Sequence, residues 1–447
     1  MKSEGMADFF SFRALYFVLF PLSLSAHAQT LSDRVTGYYG EASVYAEAAH
    51  TRTDVANGTT SDDEISLGVE GIFGAELESG ANALSALYNA QLETTQEDDF
   101  SENNESSSLT GVSNYFYRDP AGRLDLNAGH SIRSVRTDSG FAIDPTDYDT
   151  QNAINAGAGL WFYPGDLSTL RFSSQAVRTF EEGDRRDTET LRVAADLERR
   201  LSNQSLGSLS ASRSWAKEEN DDTVLDTVIL GYARELETGL FAIGVGGSRA
   251  DAEYADGTAN ESDAAVGYMS RSWATSETFA QIRVERSLTS TALDLAIEFP
   301  EVDEFPEESI RINELSLEDT LELRYLTLQL CHACDLGFLL SGTIRESQRT
   351  GETTHEFRSN VNLGVQVTPY QRVFLAYTWA ADADEDADVL FNQVHRFDVG
   401  VRQLLAEQTF ITVEGRYSFT ESRRDIRDRD QFLVRLSLTH AVGITNR

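Results

Sequence analysis

The sequence predicts an all-β protein, a transmembrane antiparallel up-and-down β-barrel of about 18–20 strands. Three observations carry that expectation. From residue 37 onward, segments of about ten residues alternate apolar and polar side chains, and each is bounded by Gly, Pro, Asn, Asp or Ser, the pattern of half-buried strands. The connections between segments alternate strictly between short turns and longer acidic stretches. Aromatic residues crowd against the tight turns, as in "NYFYRDPAG" (residues 114–122) and "GLWFYPGD" (residues 159–166).

The chain begins with a different kind of segment. Residues 14–26 are almost entirely apolar, Arg13 precedes them, and Ala26-His27-Ala28 supplies a small-x-small cleavage site. The apolar run is too short to span a bilayer, so residues 1–28 read as a secretory signal peptide, although Glu4 and Asp8 make the leading region less basic than usual. Residues 29–447 then form one domain, with strands within about 37–441. Seventy-three Asp and Glu oppose 37 Lys and Arg, for a net charge of -36. That balance excludes a nucleic-acid partner, which needs a basic surface. The 40% apolar content argues against a disordered chain. No later run reaches the ~18 apolar residues of a spanning helix. Lys217 is the only lysine after the signal, a trait of base composition.

The strands are clearest near the C-terminus. In "QFLVRLSLTH", Phe432, Val434, Leu436 and Leu438 share one face, and Leu433, Arg435, Ser437 and Thr439 the other. "FITVEGRYSF" sets Ile411, Val413, Tyr417 and Phe419 against Thr412, Glu414, Arg416 and Ser418. "RFDVGVRQ" repeats the scheme. The short connections are "ESGA", "DPAG", "GDLS", "SNQS", "ETG", "ATSE", "CHACD", "PYQ" and "AEQ". The longer acidic ones include residues 54–64, 96–108, 137–149, 253–262 and 381–392. Short turns at one end and long loops at the other are the habit of a membrane barrel, with the turns periplasmic. On that topology Tyr115, Tyr117, Trp161, Tyr163 and Trp273 fall at the short-turn end, with Phe279 and Tyr370. Trp215, Trp379 and Phe419 fall at the long-loop end. Two aromatic girdles at headgroup level are expected. The alternative is that these rings fill the core of a β-sandwich.

On these features nearly the whole chain after the signal resembles bacterial outer-membrane β-barrel porins, in particular the uncharacterised porin-like proteins associated with exopolysaccharide systems. The resemblance rests on pattern rather than on a diagnostic motif. It implies a location in the bacterial outer membrane, with both termini periplasmic. The implied partners are outer-membrane lipid and lipopolysaccharide, the outer-membrane assembly machinery, and small polar solutes or polysaccharide. Such barrels usually end on an aromatic residue that the assembly machinery reads, whereas this chain continues past Leu438 as "THAVGITNR".

A barrel of 16 or more strands leaves a lumen that conducts or is plugged. The first strand starts near Gly37, which leaves no room for an N-terminal plug. The inward positions are expected to carry Arg192, Asp196, Glu198, Arg283, Glu285, Glu322, Arg324, Asp398, Arg402, Glu414, Arg416 and Arg435. Facing rows of Arg and acid set a transverse field on permeating solutes; alternatively they only satisfy one another, the weightier reading for any single residue. The longest connection, residues 291–319, holds ten acids and one cation, Arg311, and its apolar phase shifts by one residue. The part 291–317 is expected either to project as an extended hairpin or to fold into the lumen as an acidic constriction. The alternation of both arms favours projection.

Cys331 and Cys334 are the only cysteines and sit in a predicted periplasmic turn, where a disulfide is the default. A redox thiol pair would need a helix N-terminus, a haem site a His in place of Asp335, and zinc a fourth ligand beyond His332. Asp382, Asp384 and Asp386 have EF-hand spacing, but Ala387 and Gln393 stand where the turn Gly and bidentate Glu belong. The best catalytic grouping, His130 with Ser131 and Ser134, lies in an ordinary strand without a nucleophile elbow. No enzyme activity, metal or cofactor is expected. The sequence thus points to an outer-membrane pore for diffusion or export of polar solutes, with a cation preference from its acidic loops. The alternatives are a structural or surface-interaction barrel of an exopolysaccharide secretion system without a constitutively open pore, and an adhesin-like soluble β-protein.

Overall fold

The computed structural model describes residues 37–55, 58–97, 103–136, 148–181, 187–218, 221–290, 309–310, 315–328, 330, 333–384, 392–422 and 427–445. The expected signal peptide lies outside these residues. In chain order the strands are β1 (Gly37–Val55), β2 (Gly58–Ser79), β3 (Asn82–Glu97), β4 (Asn103–Arg118), β5 (Leu124–Arg136), β6 (Tyr148–Gly165) and β7 (Ser168–Glu181). They continue as β8 (Thr188–Ser202), β9 (Ser205–Glu218), β10 (Asp221–Leu236), β11 (Gly239–Glu253), β12 (Ala259–Ala274), β13 (Thr278–Ser290) and the two-residue β14 (Ser309–Ile310). The last are β15 (Leu315–Thr327), β16 (Cys334–Ser347), β17 (Thr353–Thr368), β18 (Gln371–Asp384), β19 (Asn392–Ala406), β20 (Thr409–Ser422) and β21 (Arg427–Thr445).

Apart from β14, each strand pairs antiparallel with its neighbours in sequence. β1 pairs with β21 from Gly37↔Thr445 to Val55↔Arg427, which closes a 20-stranded barrel. The segment "THAVGIT" therefore belongs to the last strand, which runs beyond the expected limit near 441. Its polar and small residues hide the alternation, but the ladder to β1 continues through them.

A two-residue period gives the wall two faces. On β21, Phe432, Val434, Leu436, Leu438 and Val442 are exposed while Leu433 is buried. In register with them, β1 exposes Val44 and β2 exposes Ile65, Leu67, Val69 and Phe73. A ring of exposed apolar side chains is the outward face. From Phe432 to Val442 it covers eleven residues, about 25 Å of height for a strand tilted near 45°, the thickness of a membrane barrel's apolar band.

Several stretches expected as long acidic loops are strand instead. β1 and β2 stay paired to Val55↔Gly58, so Gly58–Glu64 extends the ladder, and β3 and β4 stay paired to Gln96↔Asn103. Ala259–Ser262 belongs to β12 and Ala381–Asp384 to β18. Backbone pairing needs no apolar face once the strand stands in water, so loss of apolar alternation marks the edge of the band and not the end of the strand.

The wall splits at two seams. The β4–β5 ladder stops at Gly111↔Ile132 although β4 continues with β3 to Asn103. The β12–β13 ladder stops at Gly267↔Arg286 although β12 continues with β11 to Ala259. Beyond each seam, burial ceases to alternate. Ser131, Ile132 and Arg133 are buried in succession, as are Leu288, Thr289 and Ser290, and Leu315 with Ser316. A wall strand shows one face to the lumen, so burial of both faces means these hairpin ends have left the wall.

β14 pairs parallel with β5, Ser309↔Val135 and Ile310↔Arg136, eight strands round the ring from β13. Strand spacing and tilt give the ring a diameter on the order of 40 Å. The five residues from Ile310 to Leu315 reach at most ~18 Å. The ends of β5 and β15 therefore approach one another across the mouth. The expected projecting hairpin is not what these parts form; the remainder of 291–314 lies outside the described residues.

Close approach dictates one residue choice in the wall. The ring of Tyr45 on β1 lies across β2 at Gly68, where any Cβ would collide with it. Gly68→Leu is expected to destabilise the barrel by about 1–3 kcal/mol through overpacking. The temperature at which the folded gel band converts to the unfolded one should fall, and adding Tyr45→Ala should recover part of the loss. An unchanged conversion temperature would show that the ring has room elsewhere.

Candidate functional site

Opposite the apolar face, the inner wall carries a connected row of charges from β19 to β3. Asp398 is buried and accepts hydrogen bonds from Arg396 Nε at 2.8 Å and Arg416 Nε at 2.6 Å. Arg416 also reaches Glu414 at 3.4 Å, and Glu414 stands in register with Arg435 on β21. Arg435 Nε lies 3.4 Å from Glu47, and its guanidinium sits 3.7 Å above the Tyr45 ring. Tyr45 donates its hydroxyl to Glu93 at 2.6 Å, passing over Gly68, and Gln91 donates to the Tyr45 oxygen at 2.6 Å. Charges removed from water are tolerable in such a row because Asp398, Arg416, Arg435 and Glu47 have opposite neighbours and Glu93 accepts hydrogen bonds from Tyr45, Gln91 and Thr95.

A second group lines β13 to β17. Arg324 pairs with Glu322 at 2.6 Å, Arg345 with Glu318 at 2.6 Å and with Glu356 at 3.7 Å, and Arg283 with Glu285 at 2.5 Å. On β8, Asp196 accepts from Ser210 at 2.6 Å and shares its face with Arg192 and Glu198. Arg402 lies 4.2 Å over the Phe410 ring. These residues alternate along their strands with the exposed apolar ones, so register brings together β19 with β20 and β21, and β13 with β15 at Arg283↔Glu322, and leaves β8 as a separate patch.

Other members of the row lacked a sequence signal. Glu47 stands in "YAEAA", where the outward residues Ala46 and Ala48 are too small to mark a face. Tyr45 and Glu93 meet only because Gly68 lies between them. Arg396 and Glu318 were legible by parity alone, two residues from Asp398 and four from Glu322.

The aromatic residues divide. Tyr115 and Trp273 are exposed on the apolar side near short turns, and Tyr163 is exposed beside the turn at Gly122, past the register shift that follows Phe162. Tyr117 is in register with the outward Leu126, and Tyr163 donates its hydroxyl to the Gly122 carbonyl. Trp215 is in register with the outward Leu191, and Trp379 and Phe419 flank His395 on the same face. Trp161 is the exception to the girdle expectation. Its indole N–H donates to the buried Asp125, and Arg171 lies 5.1 Å over its ring while reaching Asp125 at 3.3 Å. In "LWFY", alternation turns Trp161 to the inner face and Phe162 outward, because adjacent strand residues cannot share a side.

Cys334 is disulfide-bonded; Cys331, the chain's other cysteine, lies outside the described residues. Asp386 and the rest of 385–391 also lie outside them. Asp382 accepts from Asn392 across β18 and β19. His130 bonds the Tyr88 hydroxyl at 2.9 Å on the outward side, while Ser131 is buried on the other face, so the two do not meet.

Asp398 is the shared counter-charge of two guanidiniums. Asp398→Asn is expected to cost roughly 1–3 kcal/mol, discounted for the partial exposure of both arginines. The urea midpoint of the folded barrel reads it out, and an unchanged midpoint would sink the central role of this carboxylate.

No protein-family model matches the chain, and no curated protein matches it. Among solved structures, the ferric enterobactin receptor of Pseudomonas aeruginosa in complex with enterobactin superposes with a TM-score of 0.52 at 10% identity, over 91% of this chain and 82% of the receptor. Another structure of that receptor gives 0.50 at 10% identity, over 91% and 80%. Pseudomonas aeruginosa OccK7 gives 0.37 at 10% identity, over 91% of this chain and 100% of its own. At this identity the likeness is one of fold, a large closed β-barrel, and it rests on the first two.

Proposed function

We propose that the protein is an outer-membrane pore that passes polar solutes. The observation that carries this reading is the two-sided wall. An apolar band of membrane height faces out, and a connected row of paired charges faces a lumen too wide for wall side chains to fill. The short turns and both ends of the barrel, Gly37 and Thr445, share one rim, which we assign to the periplasm. The opposite rim faces outward, among lipid and lipopolysaccharide. It carries exposed acids such as Asp63, Glu253, Asp256 and Asp428. Negative charge around a low-dielectric mouth concentrates cations, so the pore prefers them.

A second reading has its own support. The hairpin ends that leave the wall and meet near the mouth favour a barrel whose lumen is blocked, a structural or surface component of an exopolysaccharide secretion system.

Single-channel current in a planar bilayer under a KCl gradient separates the two. The pore reading expects discrete steps with a cation-selective reversal potential. Arg435→Glu should move that potential further toward the cation limit, because it adds negative charge to the inner row. Silence from a folded, inserted barrel would favour the second reading.

A further inference from the structure

The β13–β15 hairpin ends outside the wall ladder but does not end free. Beyond the seam, Leu288, Leu315 and Leu317 lie on what was its outward face, since Leu288 pairs with Leu317 and Ser290 with Leu315. They pack on Ala216, Leu225, Ile229, Ala250, Ala264 and Val266. Those are inner-face residues of β9 to β12, in register with one another and alternating with the exposed Val228, Leu230 and Val245. The outer face of the departed hairpin thus lies against the inner face of the wall it left. Its base is inside the barrel.

The turn between β16 and β17 bridges the seam. Gln348 N–H donates to the Leu315 carbonyl at 2.8 Å, so the turn is tied to the hairpin base. On the other side of the seam, Asn260 donates to the Gln348 carbonyl at 2.5 Å and Ser262 to its side-chain oxygen at 2.7 Å. Arg349 pairs with Asp256 at 2.6 Å and lies 4.6 Å over the Tyr254 ring. Gly351, at φ +74°, and the Ser347 hydroxyl, which accepts from the backbone of Arg349 and Thr350, shape a tight turn that presents Gln348 and Arg349 together. The Thr258 hydroxyl and N–H, with Arg349 beyond them, hold the Asp256 carboxyl below the ordinary carboxylate range and therefore charged.

We propose that this turn is a latch that holds the hairpin base folded against the inner wall, and that its release widens the mouth of the pore. The proposal deepens the pore reading and rests on it for its functional half. No backbone ladder joins β12 to β13 above Gly267↔Arg286, so the base swings away from β12 without breaking that ladder, with the two-residue β14–β5 pairing as its other tether. β15 remains paired to β16 up to Ser316↔Ser347, so hairpin and turn move as one body. What resists the movement is the leucine contact and the polar bridge. The Arg349–Asp256 pair is half-exposed, with side chains 41% and 48% accessible, and salt screens such a pair. The latch should therefore loosen at high ionic strength.

Leu315 is 1% exposed and reports the closed state. The full chain carrying Leu315→Cys, refolded into phospholipid vesicles, is treated with a membrane-impermeant thiol reagent, with and without Asn260→Ala, Ser262→Ala and Arg349→Ala. Release of the latch is expected to raise the labelling rate by about tenfold or more, as local opening becomes less costly. Leu288→Cys is the second reporter if the first does not show the heat-modifiable migration of a folded barrel. An unchanged labelling rate in a folded reporter overturns the latch. In bilayers, Asn260→Cys with Gln348→Cys, in a Cys331→Ser, Cys334→Ser background, should conduct less when oxidised than when reduced. Equal steps in both states overturn the gating role while leaving the pore. Labelling that rises while every form stays silent keeps the latch and removes the pore reading.

Discussion

Everything in this molecule depends on the closure of one hydrogen-bonded ring. β1 and β21 lie 390 residues apart in the chain at Gly37 and Arg427 but pair along the whole length of β1, from Gly37↔Thr445 to Val55↔Arg427. In hydrocarbon an open sheet edge would leave a row of unsatisfied N–H and C=O groups, each costly to bury, so only a closed ring is tenable there. Closure also couples all registers. A slip of one residue anywhere would carry apolar side chains inward and charges outward around that seam. The outward leucines and valines and the inward charged row are two consequences of one set of pairings.

The inner wall shows how a lumen can hold many charges in one connected row, each ion-paired or, at Glu93, held by neutral donors. Asp398 serves Arg396 and Arg416, Arg435 stands between Glu414 and Glu47, and Tyr45 links that end to Glu93. The row crosses strands because strand partners sit only about 5 Å apart, and it skips β2 because Gly68 offers a gap for an aromatic ring. Trp161, Asp125 and Arg171 form a separate knot near the short turns, where an indole spent on a carboxylate is not available to lipid.

The two seams set this barrel apart from a uniform cylinder. The ladders β4–β5 and β12–β13 are short, and at the second the next hairpin folds against the inner wall. At the second seam the lost backbone pairing is replaced by leucine packing on the inner wall and by polar contacts from Gln348 and Arg349. The same face of β13 and β15 that is apolar for lipid below the seam is apolar for the inner wall above it. One pattern therefore serves two environments.

Much of this was legible in the sequence. Fold class followed from two-residue alternation, and parity alone placed Arg435, Glu414, Arg416 and Asp398 opposite Val434, Val413, Tyr417 and Val399, because side-chain direction in a strand is a local property of the backbone. Strand ends were not legible where acidic residues continue the ladder in water, as at Gly58–Glu64, since composition there reports solvent and not pairing. Aromatic clustering misled at Trp161, because a girdle is inferred from level while side is set by register. The sequence by itself determined that the chain alternates, where it turns, and which residues share a face. Only the tertiary structure decided which charges meet across strands, where the ring splits, and that Leu288 and Leu315 return to the inner wall. Those are contacts between residues distant in the chain, and ring closure selects them rather than any local preference.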